Sequence, residues 1–110
     1  MERLNILTDH DDKMLHALLA MTLQSNAADL QQAEQLFTQS AWSELGKCVH
    51  RMSGAAQITG AQRAEQACRQ LEKSCLNPPA DITLLATQWT EVRHAVAELN
   101  ASISGFLHTP

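Results

Sequence analysis

The feature that most constrains the fold is a long periodic run of apolar residues near the C-terminal end of the chain. From residue 82 to residue 106 these residues recur at intervals of three and four: Ile82, Leu85, Trp89, Val92, Val96, Leu99, Ile103 and Phe106. This spacing places them along one face of a single α-helix. Because an apolar face must be buried against another element, this helix requires partners from the rest of the chain.

Upstream of residue 82, the residues that begin and end helices divide the chain into four further helical segments. These segments run over residues 8–24, 26–39, 40–60 and 61–77. Three of them begin at side chains that favour the N-cap position, namely Thr8, Asn26 and Ser40. Gly60 is the predicted C′ residue of the third segment, and Asn77-Pro78-Pro79 stops the fourth because proline cannot continue a helix.

The composition agrees with an all-helical chain and excludes an all-β fold. Four glycines and three prolines leave little material for hairpin turns, and aromatic residues make up 4% of the 110 residues. Short connections make consecutive helices antiparallel neighbours. We therefore predict one domain over residues 1–110: an all-α, antiparallel up-down four-helix bundle with an additional N-terminal helix.

The charge and the cysteine content indicate which partners and which cellular compartment to expect. The net charge of −4 and the scattered basic residues argue against nucleic-acid binding. No apolar run approaches the length of a membrane span, and the N-terminus lacks the apolar segment of a secretory signal. Cys48, Cys68 and Cys75 are an odd number without a Cys-x-x-Cys pair. We predict reduced, buried thiols in a cytoplasmic protein.

The third helical segment carries a polar face that core packing does not explain. Its apolar stripe includes Leu45 and Val49, and His50 lies on the opposite, solvent side. Gly46 and Gly54 lie one turn before and one turn after His50, although an interior glycine destabilises a helix by about 1 kcal/mol relative to alanine. Two interpretations remain open. The glycines relieve crowding between helices, or they keep the face bare so that a partner can approach the imidazole.

A local motif surrounds this histidine. Residues 49–56 read Val-His-Arg-Met-Ser-Gly-Ala-Ala, and Thr59-Gly60-Ala61, Cys68 and Leu71-Glu72 follow. The combination resembles the histidine-containing phosphotransfer (Hpt) family, in which an apolar residue and a glycine follow the histidine at two and four positions. It looks most like the C-terminal Hpt domains of multi-step hybrid sensor kinases. The resemblance implies that His50 is the phosphoryl acceptor.

This sequence departs from the family pattern at one position. Many members have lysine three residues after the histidine, where this chain has Ser53, whose hydroxyl brings no charge. Lys47 and Arg51 are candidate sources of the positive charge, and the choice between them stays open. We predict two groups of site residues: Lys47, Ser53 and Gln57 flank the phosphoryl group, while Gly46, Arg51 and Gly54 contact the partner.

Glu72 is predicted to face His50. If the third and fourth segments fold back on each other about Ala61, residues about eleven positions on either side lie at one level, because each residue adds the same rise. The Glu72 carboxylate would then orient the imidazole through one ring nitrogen and leave the other free to attack. The alternative is an exposed carboxylate that pairs with Arg69, three residues earlier.

We predict a phosphotransfer module that relays a phosphoryl group through His50 between receiver-domain aspartates in a two-component phosphorelay. The resemblance implies that the receiver domains of a response regulator and of a hybrid kinase supply the aspartate and Mg²⁺. We expect no cofactor on this domain, no autonomous catalysis, no nucleic-acid or direct membrane contact, and a monomer. The expected location is the cytoplasm, as a free protein or as the C-terminal domain of a membrane-anchored sensor histidine kinase. The alternative is a non-catalytic helical adaptor, which predicts a larger apolar surface patch and an indifferent His50.

Overall fold

The computed structural model describes residues 12–76 and 81–108, and these residues form four α-helices without a strand. The helices are α1 (Asp12–Thr38), α2 (Trp42–Thr59), α3 (Gln62–Ser74) and α4 (Ile82–Leu107). Each helix packs against the next one along the chain, and α4 packs back against α1. This closed order confirms the predicted all-α, up-down four-helix bundle.

Apolar side chains from all four helices form one core. Its fully buried members include Leu19, Leu45, Val49, Leu71, Leu85, Val92 and Ile103. Burying one such side chain contributes about 1.5–3 kcal/mol, so the stripes that carry them determine how each helix is rotated. Ile82 and Phe106 were predicted to belong to this core, but they are 55% and 40% exposed. Both lie at the ends of α4, where fewer neighbouring side chains surround a residue.

Helix α1 continues through Asn26, so the helix boundary predicted at this residue is wrong. Asn26 is buried, and its Nδ2 donates a hydrogen bond to Oδ1 of Asn100 on α4 at 3.0 Å. This bond between helices satisfies the buried amide, and the side chain is not used as a local cap. From Asp12 onward, the predicted additional N-terminal helix and the helix after it are therefore one element. The predicted N-cap at Thr8 lies outside the described residues.

Helix α2 ends at Gly60, as predicted. Gly60 has φ of 77°, in the left-handed region that glycine adopts at little cost. The Ala61 amide donates to the Ala56 carbonyl at 2.9 Å, and the Gly60 amide donates to the Gln57 carbonyl at 3.1 Å. These two bonds form a Schellman motif and fix the tight turn from α2 into α3.

Ser40 does not cap α2, contrary to the sequence prediction. Its φ of 57° is left-handed, and its amide donates to the Phe37 carbonyl at 3.0 Å. Ala41 follows and donates to the Leu36 carbonyl at 2.9 Å. Ser40 therefore closes the end of α1 with the same Schellman pattern, and Ala41 takes the N-cap position of α2 without a side-chain cap.

Beyond α3, which ends at Ser74, the predicted stop at Asn77-Pro78-Pro79 lies outside the described residues. Helix α4 begins after Asp81, whose carboxylate accepts a hydrogen bond from the Thr83 amide at 2.9 Å. This cap was not identified in the sequence. In the described part of the chain, no helix is both long enough and apolar enough to cross a membrane.

All three cysteines are free thiols in the core, as predicted. Burial raises the pKa of the Cys68 thiol to about 12 and the pKa of the Cys75 thiol to about 11. Because the thiolate is the reactive form, both groups are protonated and inert near neutral pH. They serve as small apolar residues at the contact between α2 and α3.

Candidate functional site

Helix α2 turns His50 outward because its neighbours on the helix are anchored in the core. Val49 and Met52 are at most 2% exposed, whereas the His50 side chain is 70% exposed. The hydrophobic energy that buries Val49 and Met52 thus also fixes the direction of the imidazole. A large part of the ring is left open to a partner from solution.

The structure brings Glu72 of α3 to the imidazole. Nδ1 of His50 and Oε2 of Glu72 are 2.8 Å apart. An ionised carboxylate can only accept, so Nδ1 carries the hydrogen and donates it. In the neutral imidazole, Nε2 then keeps its lone pair. The alternative partner is excluded, because Nη2 of Arg69 lies 3.0 Å from Oε2 of Glu65 instead.

Two adjoining cavities flank the pair of His50 and Glu72 in the groove between α2 and α3. The first cavity, of about 680 Å³, is lined by these two residues together with Ser43, Gly46, Lys47, Arg51, Cys75 and Leu76. The second cavity, of about 400 Å³, is lined by the same pair together with Ser53, Gly54, Gln57, Arg69, Lys73 and Leu76. His50 is therefore the residue of α2 that lines both cavities.

The two glycines beside His50 have different roles. Gly46 is buried, and a Cβ placed on it would lie 3.3 Å from Cβ of Cys75, the residue that directly follows α3. Gly46 thus allows a close approach between α2 and the end of α3, and its contact with a partner stays a prediction. A Cβ placed on Gly54 would meet nothing within 4 Å. Helix packing therefore gives no reason for glycine at position 54.

Ser53 and Gln57 both line the second cavity, on the side of His50 towards the end of α2. Ser53 is buried, and its Oγ donates to the backbone carbonyl of His50 at 2.7 Å. Its hydroxyl hydrogen is thus used within the helix, and its place beside the phosphoryl group stays a prediction. Gln57 is exposed two turns beyond His50, so its amide is accessible from the cavity.

The two cations predicted to serve His50 already have carboxylate partners. Nζ of Lys47 lies 3.7 Å from Oε1 of Glu44, and both side chains are exposed. Nη2 of Arg51 donates to Oε1 of Gln32 at 2.9 Å and lies 3.6 Å from Oδ1 of Asp29. Because Gln32 and Asp29 belong to α1, the Arg51 guanidinium is held towards α1.

The sequence analysis missed the contribution of the end of α3. Arg69, Lys73 and Leu76 line the second cavity with His50, and Leu76 is 63% exposed. The register that pairs His50 with Glu72 also brings these neighbours, which lie within about one turn of Glu72, to the same cavity. That register was available in the sequence, but it was applied to Glu72 alone. Among the described residues, no group of three His, Cys, Asp or Glu side chains could hold a metal ion.

Comparison with known proteins gives a consistent result. The sequence model described as the Hpt domain matches residues 17–102. The chain is also similar to the virulence sensor protein BvgS of Bordetella parapertussis, Bordetella pertussis and Bordetella bronchiseptica, with 29% identity over 72 residues in each case. The match covers 66% of this chain but 6% of the length of each relative. No solved structure gives a significant match.

Proposed function

Because the chain belongs to the Hpt domain family, which gives it a phosphotransfer role in a phosphorelay, we propose that His50 takes a phosphoryl group from the aspartate of one receiver domain and delivers it to the aspartate of another. The observation that carries this proposal is the exposed imidazole whose Nδ1 lies 2.8 Å from Oε2 of Glu72. One ring nitrogen is engaged by the domain itself, and the other faces outward.

The transfer step follows from this arrangement. The lone pair of Nε2 attacks phosphorus in the aspartyl phosphate, and the bond between phosphorus and the aspartate oxygen breaks as the nitrogen–phosphorus bond forms. The aspartate leaves as a carboxylate with the bonding electron pair. The hydrogen on Nδ1 stays on the ring and remains donated to Glu72. The reverse step, on a second receiver, regenerates the neutral imidazole.

Glu72 serves this step in two ways. It selects the tautomer by accepting from Nδ1, so that the attacking nitrogen is unprotonated. It also balances the positive charge that the ring acquires once Nε2 is bonded to phosphorus. The carboxylate is half-buried at the contact with α2, with 32% of its side chain exposed, and this position holds the ring in one orientation.

The bare surface around Gly54 supplies the space for the receiver. A Cβ placed on Gly54 would meet nothing within 4 Å, and Leu76, two residues beyond the end of α3, offers an exposed apolar side chain. In-line transfer requires the reacting atoms to lie about 3 Å apart, so a receiver must cover this surface closely. In this proposal the receiver supplies the aspartate and Mg²⁺, and the relay operates in the cytoplasm as part of a larger sensor kinase.

The test uses a small donor and a protein donor. The parent chain, His50→Gln and a matched control, His94→Gln, are incubated with phosphoramidate and, separately, with a panel of receiver domains phosphorylated by acetyl phosphate. His94 is an exposed histidine on α4. We expect acid-labile, base-stable label on the parent and on His94→Gln, and none on His50→Gln.

Two results would contradict the proposal. Label retained on His50→Gln would place the acceptor elsewhere. An unlabelled parent chain with both donors would favour an adaptor that binds its partner without phosphoryl chemistry. Circular dichroism on the same samples separates either result from loss of the fold.

A further inference from the structure

A phosphoryl group on His50 brings up to two negative charges to the surface, so the basic side chains around it determine how well it is tolerated. Four cations line the two cavities beside His50: Lys47, Arg51, Arg69 and Lys73. Ser53 adds no charge, and its hydroxyl donates to a backbone carbonyl. The four cations differ in the partners that they already have.

Three of the four cations are paired with carboxylates. Lys47 lies beside Glu44, and Arg69 lies beside Glu65 on its own helix. Arg51 is drawn to α1 by Asp29. Each would have to give up or share its partner in order to serve the phosphoryl group.

Lys73 is the exception. Within residues 12–76 and 81–108 it has no ion pair or side-chain hydrogen bond, and it is exposed. It lines the second cavity with His50, and it directly follows Glu72 in sequence, the residue bonded to the imidazole. A lysine ammonium is a mobile point charge on a long stem, so it can reach an anion inside that cavity.

We propose that Lys73 neutralises the phosphoryl group on His50, supplying from α3 the charge that is missing at Ser53 on α2. This inference rests on the proposed function. The second cavity, of about 400 Å³, is far larger than a phosphoryl group, and Gly54 adds no side chain to its lining. The cation and the phosphoryl group therefore meet in open, solvated space, where the attraction is modest and sensitive to salt.

The test measures the ionisation of the phosphoryl group itself. The parent chain, Lys73→Gln and Lys73→Arg are labelled with phosphoramidate, and the phosphorus resonance is followed by ³¹P NMR from pH 5.5 to pH 9. Loss of a nearby cation disfavours the dianion. We expect the phosphoryl pKa in Lys73→Gln to rise by about 0.2–0.7, the range that corresponds to one exposed ion pair. Lys73→Arg should restore most of the parent value.

Three controls decide the outcome. Lys13→Gln removes the same charge from an exposed lysine on α1 and should leave the phosphoryl pKa unchanged. Salt near 1 M should shrink the difference between the parent chain and Lys73→Gln, because it screens charges beyond about 3 Å. If Lys73→Gln leaves the phosphoryl pKa unchanged, or if Lys47→Gln moves it more, the proposal is overturned. A parent chain that takes no label contradicts the proposed function instead.

Discussion

Gly46 and Gly54 lie one turn before and one turn after His50 on α2. We expect the same substitution to change the stability of the domain differently at these two positions. At Gly54 an added Cβ meets no atom within 4 Å, so alanine fits without strain. Replacing glycine with alanine in a compatible helical conformation stabilises a protein by about 0.4–1 kcal/mol, mainly by restricting the unfolded chain. For a domain of this size the gain corresponds to a rise of about 2–8 °C in Tm. Gly54→Ala should show this rise in thermal and urea unfolding followed by circular dichroism.

The same change at Gly46 should give a smaller gain or a loss. The new Cβ would lie 3.3 Å from Cβ of Cys75, closer than an ordinary van der Waals contact. Cys75 must move by a few tenths of an ångström to accept it, and this movement offsets the entropic benefit. A longer side chain makes the difference larger, because overpacking a buried position costs about 1–3 kcal/mol. Gly46→Gln should therefore be less stable than the parent, whereas Gly54→Gln should be at least as stable.

Gly54→Gln should keep its stability but lose phosphoryl transfer from a receiver. The glutamine in Gly54→Gln stands on the open surface beside His50, where the receiver must approach. An error of one ångström in the reacting geometry lowers a rate by about a hundredfold. Transfer from a phosphorylated receiver to Gly54→Gln should fall by about this factor, while labelling by phosphoramidate stays close to the parent rate. The comparison requires only stopped-time labelling with both donors.

Two results would refute this reasoning. If Gly54→Gln unfolds, or Gly54→Ala loses stability, then position 54 is needed for packing and the surface there is not open. If Gly54→Gln exchanges phosphoryl groups with receivers at the parent rate, the receiver does not cover this face. An equal gain in Gly46→Ala and Gly54→Ala would show that the contact with Cys75 imposes no cost.

Two further predictions concern the imidazole partner and the core thiols. Glu72→Ala should lower the rate of His50 labelling by phosphoramidate by about tenfold, because it removes a hydrogen bond to a charged group. Glu72→Gln should lower the rate less, because its amide oxygen still accepts a hydrogen bond. Equal rates in the parent chain and both variants would contradict the orienting role of Glu72. Burial raises the pKa of Cys68 to about 12 from its ordinary value of 9.0, so the thiol ionises first in the unfolded chain and stability is lost as pH rises above about 9. Urea unfolding at pH 8 and pH 11 should show a larger loss for the parent chain than for Cys68→Ala, and equal losses would contradict it.

The site could be predicted from sequence wherever it depends on helical periodicity. The stripe that contains Val49 fixes the rotation of α2, and this rotation places His50 in solvent. The turn at Gly60 sets the register of α2 against α3, so counting along both helices brings Glu72 to His50. Both inferences need only the rise and turn of a helix, which are the same for every sequence.

Local N-cap preferences failed at two positions, through a distant partner at Asn26 and through the local turn at Ser40. Asn26 and Ser40 have side chains that favour N-caps, and neither caps a helix here. Asn26 instead donates to Asn100, which is 74 residues away in sequence. Ser40 takes the left-handed position that ends α1. A side chain of this kind can serve several roles, and packing between helices selects the one that is used.

The sequence by itself determined the helical class, the buried face of α2, the exposure of His50 and its carboxylate partner. Only the tertiary structure decided that Gly46 packs against Cys75 while Gly54 lies open, and that Arg51 is held by Asp29. It also decided that Lys73, beside His50, forms no ion pair with any of the described residues. The physical reason is one of distance. Periodicity specifies the direction in which a residue points from its helix. Whether its side chain meets another atom depends on how closely two helix axes approach. For a long charged side chain, it also depends on which oppositely charged groups lie within its reach.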